Sequence, residues 1–411
     1  MSPYKPYPAY RDSGVEWIGQ VPEHWNKMPF KRVASIRNGR DYKEIENADG
    51  AYPVIGSGGE FARASDFMFD GESVLLGRKG TIDKPLYING PFWAVDTMFY
   101  TKIADDAFPK FVYYSALTIP FGLYSTNTAL PSMAGEDLSS HVVVAPKIEE
   151  QKTIAVGVDR ETARIDALIT KKTRFIELLK EKRKALITHA VTKGLDTDAP
   201  MRNSGAKWLG DIPKYWEFVP SNSLFPESKE RAWAEDEHLS ATQKYGVIPL
   251  AEYERLEERQ VTHAVKNLEQ RKHAEVGDFV ISMRSFEGGI ELVKARGCVR
   301  SSYVVLKAGV KAHIGFFTYL FKSSAYIQGL QATATFIRDG QDLSYNNFRQ
   351  VKLPCPSLDE QKSIASFLEK SVIRIDGLTE KTRRSINLLK ERRAAFITAA
   401  VTGQIDLRES V

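Results

Sequence analysis

The feature that most constrains the fold is a long segment that the chain contains twice. Residues 150–196 align without a gap with residues 360–406, and about half of the aligned positions are identical. Both copies begin with Glu-Gln-Lys and carry Ala-Val-Thr near their ends. A shorter echo precedes each copy, because the pattern of Trp, Gly, Pro and Trp in residues 13–25 returns in residues 204–216. The sequence therefore predicts the order head, repeated segment, different head, repeated segment.

Each repeated segment is expected to form one long helix that packs against its twin. Apolar residues recur every seven positions with one polar interruption per copy, which is the spacing of a coiled-coil seam. A helix of about 40 residues, on the order of 60 Å long, cannot bury such a stripe alone. Each head is attached at the start of its own helix, so antiparallel pairing with one head at each end is favoured. The predicted seam residues are Val158, Ile165, Leu179, Leu186, Leu368, Ile375, Leu389 and Phe396.

The two heads have the pattern of mixed α/β domains with short strands. Strand-like runs occur at 74–76, 141–144, 279–281 and 302–306, and glycine clusters separate them. The predicted fold class is α+β, with two α/β domains joined by two long antiparallel coiled-coil helices in a pseudo-two-fold internal repeat. The predicted boundaries are 1–147 for the first head, 148–196 for the first helical segment, 197–355 for the second head and 356–411 for the second helical segment.

The composition of the chain excludes some classes of protein but does not identify the function. The chain has 57 basic and 52 acidic residues, a net charge of +5 and a pI near 8.9, so any affinity for nucleic acid must come from local patches. The two cysteines, Cys298 and Cys355, exclude a disulfide framework and a cysteine-based zinc site and favour a reducing compartment. The N-terminal residues do not resemble a signal peptide, and no apolar run is long enough to cross a membrane. We therefore expect a soluble, cytoplasmic protein.

The paired segments that begin with Glu-Gln-Lys, together with the Trp-Gly-Pro-Trp opening of each head, resemble the specificity subunits of type I restriction–modification systems over nearly the whole chain. The resemblance implies that each head is a target-recognition domain for one half of a split double-stranded DNA sequence. It also implies that the helices set the gap between the halves and hold two methyltransferase subunits, through which restriction (motor–nuclease) subunits join. The chain itself would be non-catalytic and hold no cofactor, whereas S-adenosylmethionine, ATP and Mg²⁺ would belong to the partner subunits.

A physical argument leads to the same expectation. Two unlike heads on a pseudo-symmetric support predict an asymmetric target in two parts, about 10 base pairs apart centre to centre, and similar surfaces for two identical partners. Two alternatives stay open: a coiled-coil scaffold whose heads bind proteins, and an enzyme whose chemistry lies in the divergent heads. Against the enzyme, the sequence has no Asn-Pro-Pro-aromatic motif, no evident Ser-His-Asp cluster and no histidine spacing suited to a metal.

The first candidate for DNA contact is the run Gly-Arg-Lys-Gly-Thr at 77–81. Two cations between glycines, after a strand, can approach a phosphate or a guanine edge, although an ordinary solvated hairpin has the same pattern. Met-Arg-Ser at 283–285 follows a strand of the second head in the same way, and the glycine cluster at 56–59 is either a phosphate-binding loop or a plain turn. The predicted DNA-binding residues are Arg78, Lys79, Thr81, Ser57, Gly58, Arg40, Arg63, Arg284, Ser285 and Arg338.

Four tryptophans repeat between the heads, and they are expected to anchor the start of each head on its core or on the helices. Heads that read different sequences would not share base-stacking residues. Any exposed part of these rings, together with the first glutamate of each Glu-Gln-Lys, is assigned to the methyltransferase interface. The tripeptide superficially resembles part of a nuclease motif, but a nuclease needs further carboxylates around a metal, so no catalytic or metal-binding residue is predicted. The predicted interface residues are Trp17, Trp25, Trp208, Trp216, Glu150 and Glu360.

Overall fold

The computed structural model describes residues 4–126, 131–260, 270–282, 285, 289–333 and 344–408. The chain divides into two compact units. The first unit comprises Met1–Thr173 and Arg383–Val411, and the second comprises Arg174–Thr382. Each unit therefore contains one head together with part of each repeated segment, and the boundaries predicted between heads and helices stay a prediction.

The head of the first unit consists of short strands and short helices. Its α-helices in the described residues are α1 (Pro109–Ala116) and α2 (Gly135–Ser140). Its strands are β1 (Tyr10–Asp12), β2 (Gln20–Pro22), β3 (Asn26–Pro29), β4 (Ala34–Asn38), β5 (Tyr52–Gly56), β6 (Gly59–Ala64), β7 (Glu72–Gly77), β8 (Leu86–Asn89), β9 (Trp93–Ala94), β10 (Met98–Ile103) and β11 (Val142–Ala145).

A four-stranded antiparallel sheet in the order β4-β10-β7-β8 lies at the centre of this head. Side chains alternate between the two faces of a strand, so Val74 and Leu76 of β7 pack in the cluster that includes Val112 of α1. Leu75 faces the other way and packs with residues of the second sheet, which has the order β6-β5-β9. Both faces of β7 are therefore buried, which explains its uninterrupted apolar run.

The second unit has a head of the same class with a different strand arrangement. Its α-helices in the described residues are α4 (Ser221–Leu224), α5 (Leu250–Glu257), α6 (Ile314–Lys322), α7 (Ser324–Gln331) and α8 (Tyr345–Gln350). Its strands are β12 (Met201–Asn203), β13 (Asp211–Pro213), β14 (Glu217–Pro220), β15 (Glu227–Ser228), β16 (Leu239–Thr242), β17 (Gly246–Pro249), β18 (Lys272–Ala274), β19 (Phe279–Ile281), β20 (Glu291–Leu292), β21 (Gly297–Val299), β22 (Val304–Leu306) and β23 (Lys352–Cys355).

The largest sheet of this head has the order β15-β22-β19-β20, with β19 in its interior. The rings of Phe225, Phe279, Phe317 and Phe321 meet on it with centroids 4.8–5.7 Å apart, mostly edge to face. Such aromatic pairs add stability beyond the area that they bury. The strand predicted at 279–281 coincides with β19, and the one predicted at 302–306 is shorter, since β22 begins at Val304.

Both repeated segments are helical, as the sequence predicts. They form α3 (Ile148–Lys193) and α9 (Leu358–Val401), of 46 and 44 residues. The mixture of long helices with sheet-containing heads confirms the α+β class. Helix α3 ends where Gly194 takes a φ of +82°, a left-handed conformation that favours glycine just beyond a helix C-terminus.

In the first unit, the start of α3 packs against the end of α9. Ile154 and Val158 share one cluster with Ile397 and Ala400, and all four are buried. Two ion pairs lie beside this contact: Arg392 with Glu161 at 3.2 Å, and Arg393 with Asp166 at 2.9 Å.

In the second unit, the end of α3 packs against the start of α9. Leu186 packs against the buried cluster that contains Val191, Ile364 and Leu368. Arg183 pairs with Asp376 at 3.1 Å. Of the predicted seam residues, three are half-buried and five are buried. The half-buried ones are Leu186, Leu389 and Phe396, and the buried ones are Val158, Ile165, Leu179, Leu368 and Ile375.

The echo between the heads corresponds to the same local structure in each unit. Strands β1 and β2 form an antiparallel pair around Gly19, and β12 and β13 form its counterpart around Gly210. Both glycines have positive φ, +68° and +64°, so a side chain at either position would strain the turn. After each hairpin, a strand pairs with the strand that precedes a long helix, β3 with β11 and β14 with β23. Each head is thereby tied to the start of its own helix.

Among the described residues, no helix combines the length and the apolar character needed to cross a lipid bilayer.

Candidate nucleic-acid interface

The run at 77–81 forms a tight loop at the end of β7. A Cβ on Gly77 would lie 2.3 Å from the carbonyl oxygen of Thr81, so only glycine fits. The backbone N–H groups of Arg78 and Lys79 both donate to the carbonyl oxygen of Thr97, at 2.8 and 3.2 Å. The carbonyl oxygen of Arg78 accepts from the N–H of Met133 at 3.0 Å. The loop is therefore held from two sides, and its side chains start from a fixed backbone.

Arg78 borders a polar cleft of about 470 Å³ in the first head. Its guanidinium donates one long hydrogen bond, 3.3 Å, to the carbonyl oxygen of Asp96 and lies 5.8 Å from the centre of the Phe99 ring. Lys79 and Thr81 are exposed. The cleft is also lined by groups that can donate or accept hydrogen bonds: Asn38, Tyr124, Thr126, Ser132 and Asp137. An arginine beside an asparagine at the edge of a cleft suits recognition of base edges.

The other predicted residues of the first head lie elsewhere. Ser57 and Gly58 form the tip of the β5–β6 hairpin, so the glycine cluster is a turn between two strands. Arg40 is exposed and lies next to β9, where its carbonyl oxygen accepts from the indole of Trp93. Arg63 donates to the carbonyl oxygens of Gly50 and Ala51 and to the Glu60 carboxylate, so its guanidinium already has internal partners. These residues are weaker candidates than Arg78.

In the second head, the prediction for Ser285 is wrong. Its side chain is fully buried, and its Oγ accepts from the backbone N–H of Ser282 at 2.9 Å, which closes a turn after β19. This hydroxyl therefore already has an internal hydrogen bond that holds the turn. Arg284 and Arg338 lie outside the described residues.

The structure instead reveals a larger cleft of about 690 Å³ in the second head, which the sequence pattern did not indicate. It lies between the β16–β17 hairpin, α5 and the ends of β19 and β21. Of the residues that the structure describes, three cations border it, Lys244, Arg259 and Arg300, and aromatic rings line it as well. The ammonium of Lys244 is 4.6 Å from the centre of the Tyr245 ring. The remaining lining residues are Ser240, Ala241, Thr242, Gln243, Tyr253, Glu257, Ser282, Glu291 and Tyr303.

In the sequence, only short local patterns indicate this cleft. Lys244 and Tyr245 form a basic-aromatic pair at the tip of a hairpin, and Arg300 follows a buried strand. Arg259 belongs to a charged stretch whose composition equally fits a solvated helix face. Only the fold brings these residues to one cleft.

The repeated Trp and Glu residues pair with each other in both units. The indole N–H of Trp25 donates to Glu150 Oε1 at 3.1 Å, and that of Trp216 donates to Glu360 Oε1, also at 3.1 Å. Both rings are buried, with 0% and 1% of their surface exposed. The anchoring role expected for them therefore fits. Their assignment to a partner interface is wrong, because no part of either ring is left for a partner.

The glutamine of each Glu-Gln-Lys fastens the helix start to its head. Gln151 accepts from the N–H of Phe108 and donates to the carbonyl oxygen of Pro146. Gln361 makes the equivalent bonds to His313 and Pro356. Sequence reasoning noticed this tripeptide but missed that its glutamine is the buried member. The tripeptide is an attachment between head and helix, repeated in each unit.

Trp17 and Trp208 differ from the anchoring pair. Trp17 is 40% exposed, so it stays available to a partner. Its inner face stacks on His141, with ring centres 5.3 Å apart. Trp208 is half-buried and meets Tyr326 edge to face at 5.7 Å.

We expect the buried side chain of His141 to make the first unit less stable in acid. The side chain is 3% exposed, its Nδ1 is 2.8 Å from the hydroxyl of Tyr124, and burial lowers its pKa from 6.5 to about 4. Between these values the unfolded chain binds more protons than the folded chain. The stability present above pH 6.5 is therefore lost as the pH falls towards 4, by about 2 kcal/mol between pH 7 and pH 5.

Urea unfolding of the full chain at pH 7 and pH 5 measures this loss. His141→Phe, which keeps an aromatic ring beneath Trp17, should remove about 2 kcal/mol of the pH dependence. His189→Gln, a change at an exposed position of α3, should leave the pH dependence as in the unmodified chain. The same pH dependence in all three proteins would contradict the assignment.

The chain is similar in sequence to known proteins of one kind. Residues 22–178 match the model of the type I restriction modification DNA specificity domain. The chain is 24% identical over 270 residues to the MjaX type I restriction enzyme specificity subunit of Methanocaldococcus jannaschii, in an alignment covering 64% of this chain and 59% of that protein. It is 18% identical over 423 residues to the EcoBI type I restriction enzyme specificity subunit of Escherichia coli, covering 96% of this chain and 89% of that protein.

Solved structures show the same fold. The HsdS subunit from Thermoanaerobacter tengcongensis has a TM-score of 0.54 at 13% identity, covering 96% of this chain and all of that one. A chain from a structure of type I restriction–modification complex assembly has a TM-score of 0.61 at 15% identity, covering 93% and 98%.

Residues 22–178 are therefore similar to the type I restriction modification DNA specificity domain. The chain as a whole is similar to type I restriction enzyme specificity subunits. This confirms the resemblance drawn from the repeated segments, and the alternative of a protein-binding scaffold gains no support.

Proposed function

We propose that this chain is the sequence-specific DNA-binding subunit of a type I restriction–modification complex, and that it has no catalytic site of its own. One observation carries the proposal: two heads with unlike clefts are attached by equivalent contacts to two copies of one helical segment. The Trp–Glu and glutamine contacts recur in both units, whereas the clefts differ in their strands and in their residues. A DNA target with two unlike halves requires two heads that are attached in the same way but differ in the surface that contacts the DNA.

Arg78 and Lys79 are the proposed DNA contacts of the first head. Among the described residues the guanidinium of Arg78 makes one hydrogen bond, a long one, so it can turn its fork to a guanine edge, while the exposed Lys79 and Thr81 bind phosphate. In the second head, Arg300 and Lys244 at the rim of the larger cleft are the proposed phosphate contacts. Arg284 and Arg338 stay candidates there, and Arg40 with the hairpin tip at 57–58 stays a secondary candidate in the first head.

The two long helices are proposed to pair as an antiparallel coiled coil. Within the first unit, Val158 lies in one cluster with Ala400, whereas Glu161, further along α3, pairs with the earlier Arg392. The contacts thus move backwards along α9 as they move forwards along α3. This direction defines antiparallel packing. The half-buried seam residues would lie in the rows that flank the seam of a two-helix coiled coil.

The partners are proposed to be two methyltransferase subunits, with restriction subunits joined through them. Equivalent apolar positions of the two segments are exposed: Leu178 with Leu388, and Leu168 with Leu378, at 40–64%. Because equivalent leucines are exposed on both helical segments, the chain offers the same apolar surface twice, as two identical partners would need. S-adenosylmethionine, ATP and Mg²⁺ would be bound by those partners, and the complex would act on DNA in the cytoplasm.

Arg78→Ala tests whether each head binds its own half-site. The change is expected to weaken binding to one half-site, or relax its sequence, by about 1–3 kcal/mol, which is about 5–150-fold. The other half-site should be read as before. Binding of the methyltransferase complex to duplexes altered in either half-site measures the effect, with Arg32→Ala, an exposed position of the same head, as the control.

Two results would count against the proposal. Equal losses at both half-sites from Arg78→Ala would show that the heads do not read separately. Binding without sequence preference and with a weak dependence on salt would instead indicate a protein-binding scaffold.

A further inference from the structure

The larger cleft of the second head contains a buried carboxylate with an unused oxygen. Glu291, on β20, is 2% exposed and lines the cleft together with Ser282 and Tyr303. Its Oε1 accepts from the ammonium of Lys322, whereas its Oε2 has no hydrogen-bond partner among the described residues. Buried acceptors nearly always have a donor, so a ligand that enters this cleft would satisfy Oε2 by bringing one.

The rim of the cleft indicates what kind of molecule brings that donor. Arg300 is exposed and has no ion-pair partner among the described residues, and Lys244 pairs with Glu257 only at 3.3 Å in an exposed position. Both cations are therefore available to phosphates. A ligand that carries phosphates outside and hydrogen-bond donors inside is a nucleic acid that presents a base edge. Among DNA bases, cytosine and adenine present an exocyclic amino donor in the major groove, whereas the corresponding groups of guanine and thymine are acceptors.

We infer that Glu291 is a specificity-determining residue of the second head, whose Oε2 accepts a hydrogen bond from the exocyclic amino group of one target base, N4 of cytosine or N6 of adenine. Arg300 and Lys244 hold the neighbouring phosphates. Guanine or thymine at that position would place an oxygen against the carboxylate and be rejected. Burial raises the pKa of Glu291, in opposition to the Lys322 ammonium, as expected for a carboxylate that lacks donors. The inference rests on the proposed function and adds one base position to it.

Glu291→Gln tests the inference in the intact methyltransferase complex. The amide keeps the size of the side chain but offers a donor as well as an acceptor, so discrimination against guanine and thymine should fall about 10–100-fold at one position of one half-site. Every other position should keep its preference. Two controls belong to the same head. Glu235→Gln, on the surface, should change nothing. Arg300→Ala should weaken binding to all sequences and lower the salt slope by about one unit without changing base preference.

A second measurement uses the unmodified protein and therefore does not depend on the folding of a variant. Each cytosine of the target is replaced in turn by 2-pyrimidinone, and each adenine by purine, which removes only the amino group. We expect one position of one half-site to lose about 10–100-fold in affinity. Glu291→Gln should lose much less from the same replacement. Tolerance of every replacement in that half-site, or unchanged discrimination by Glu291→Gln, would overturn the inference while a bipartite target still supports the proposed function. No bipartite target for the unmodified complex would overturn both.

Discussion

Trp25→Ala is expected to lower the free energy of unfolding of the first unit by about 3–5 kcal/mol. The ring is fully buried among residues of the head and of both long helices, including Val158 and Ala400. It also lies edge to face with Phe111 at 6.2 Å. Alanine leaves a large cavity at the place where head and helices meet, and it removes the indole donor from Glu150. Urea unfolding of the full chain, followed by far-UV circular dichroism, measures the loss.

Two matched variants separate packing from hydrogen bonding. Trp17→Ala changes a 40% exposed ring in the same part of the head and should cost about 1 kcal/mol or less. Trp25→Phe keeps most of the ring and loses the indole N–H, so it should fall between the other two variants. If Trp25→Ala were no more harmful than Trp17→Ala, the ring would not be the anchor that the structure describes.

Leu179→Lys is expected to destabilise the second unit by about 3–5 kcal/mol. Leu179 is 6% exposed, so the change removes buried apolar surface and forces an ammonium into the same space. Because the helices support both heads, the proposed function further predicts that methylation is lost over the whole target and not at one half-site. Thermal unfolding and the level of target methylation in cells measure the two effects.

The neighbouring residue supplies the control. Leu178 is 46% exposed on the same helix, so Leu178→Lys should change the free energy of unfolding by only about 0.5 kcal/mol. If it still impairs assembly with the methyltransferase, the exposed row is a partner surface. Equal destabilisation by both changes would mean that Leu179 does not lie in a buried seam.

The helices were predictable because their signals are local and occur twice. A heptad pattern depends on neighbours three and four residues away, and finding Val158 and Leu368 at equivalent positions excluded coincidence. The anchoring role of Trp25 followed from repetition alone. Its partner did not, since Glu150 lies 125 residues further along the chain. No local pattern reports a hydrogen bond of that separation.

The two clefts proposed to contact DNA were less predictable, because they depend on the pairing of strands that are distant in the sequence. The order β4-β10-β7-β8 places Arg78 beside Asn38, which lies 40 positions earlier in the sequence. Ser285 had the same local pattern as the loop at 77–81, yet its turn closes inward and buries the hydroxyl. The cleft of the second head joins Lys244, Ser282 and Arg300 from three separate strands or their ends. Each of these placements follows from the order of the strands in the sheets. The sequences of such short strands do not specify that order.

The central claim is that this chain selects a DNA target in two unlike parts. Long-read methylation sequencing tests it directly, in cells that contain the methyltransferase partner with or without this chain. We expect a methyladenine motif that depends on this chain and consists of two different half-sites separated by a fixed gap. With the partner present and active, the absence of any motif that depends on this chain would contradict the account.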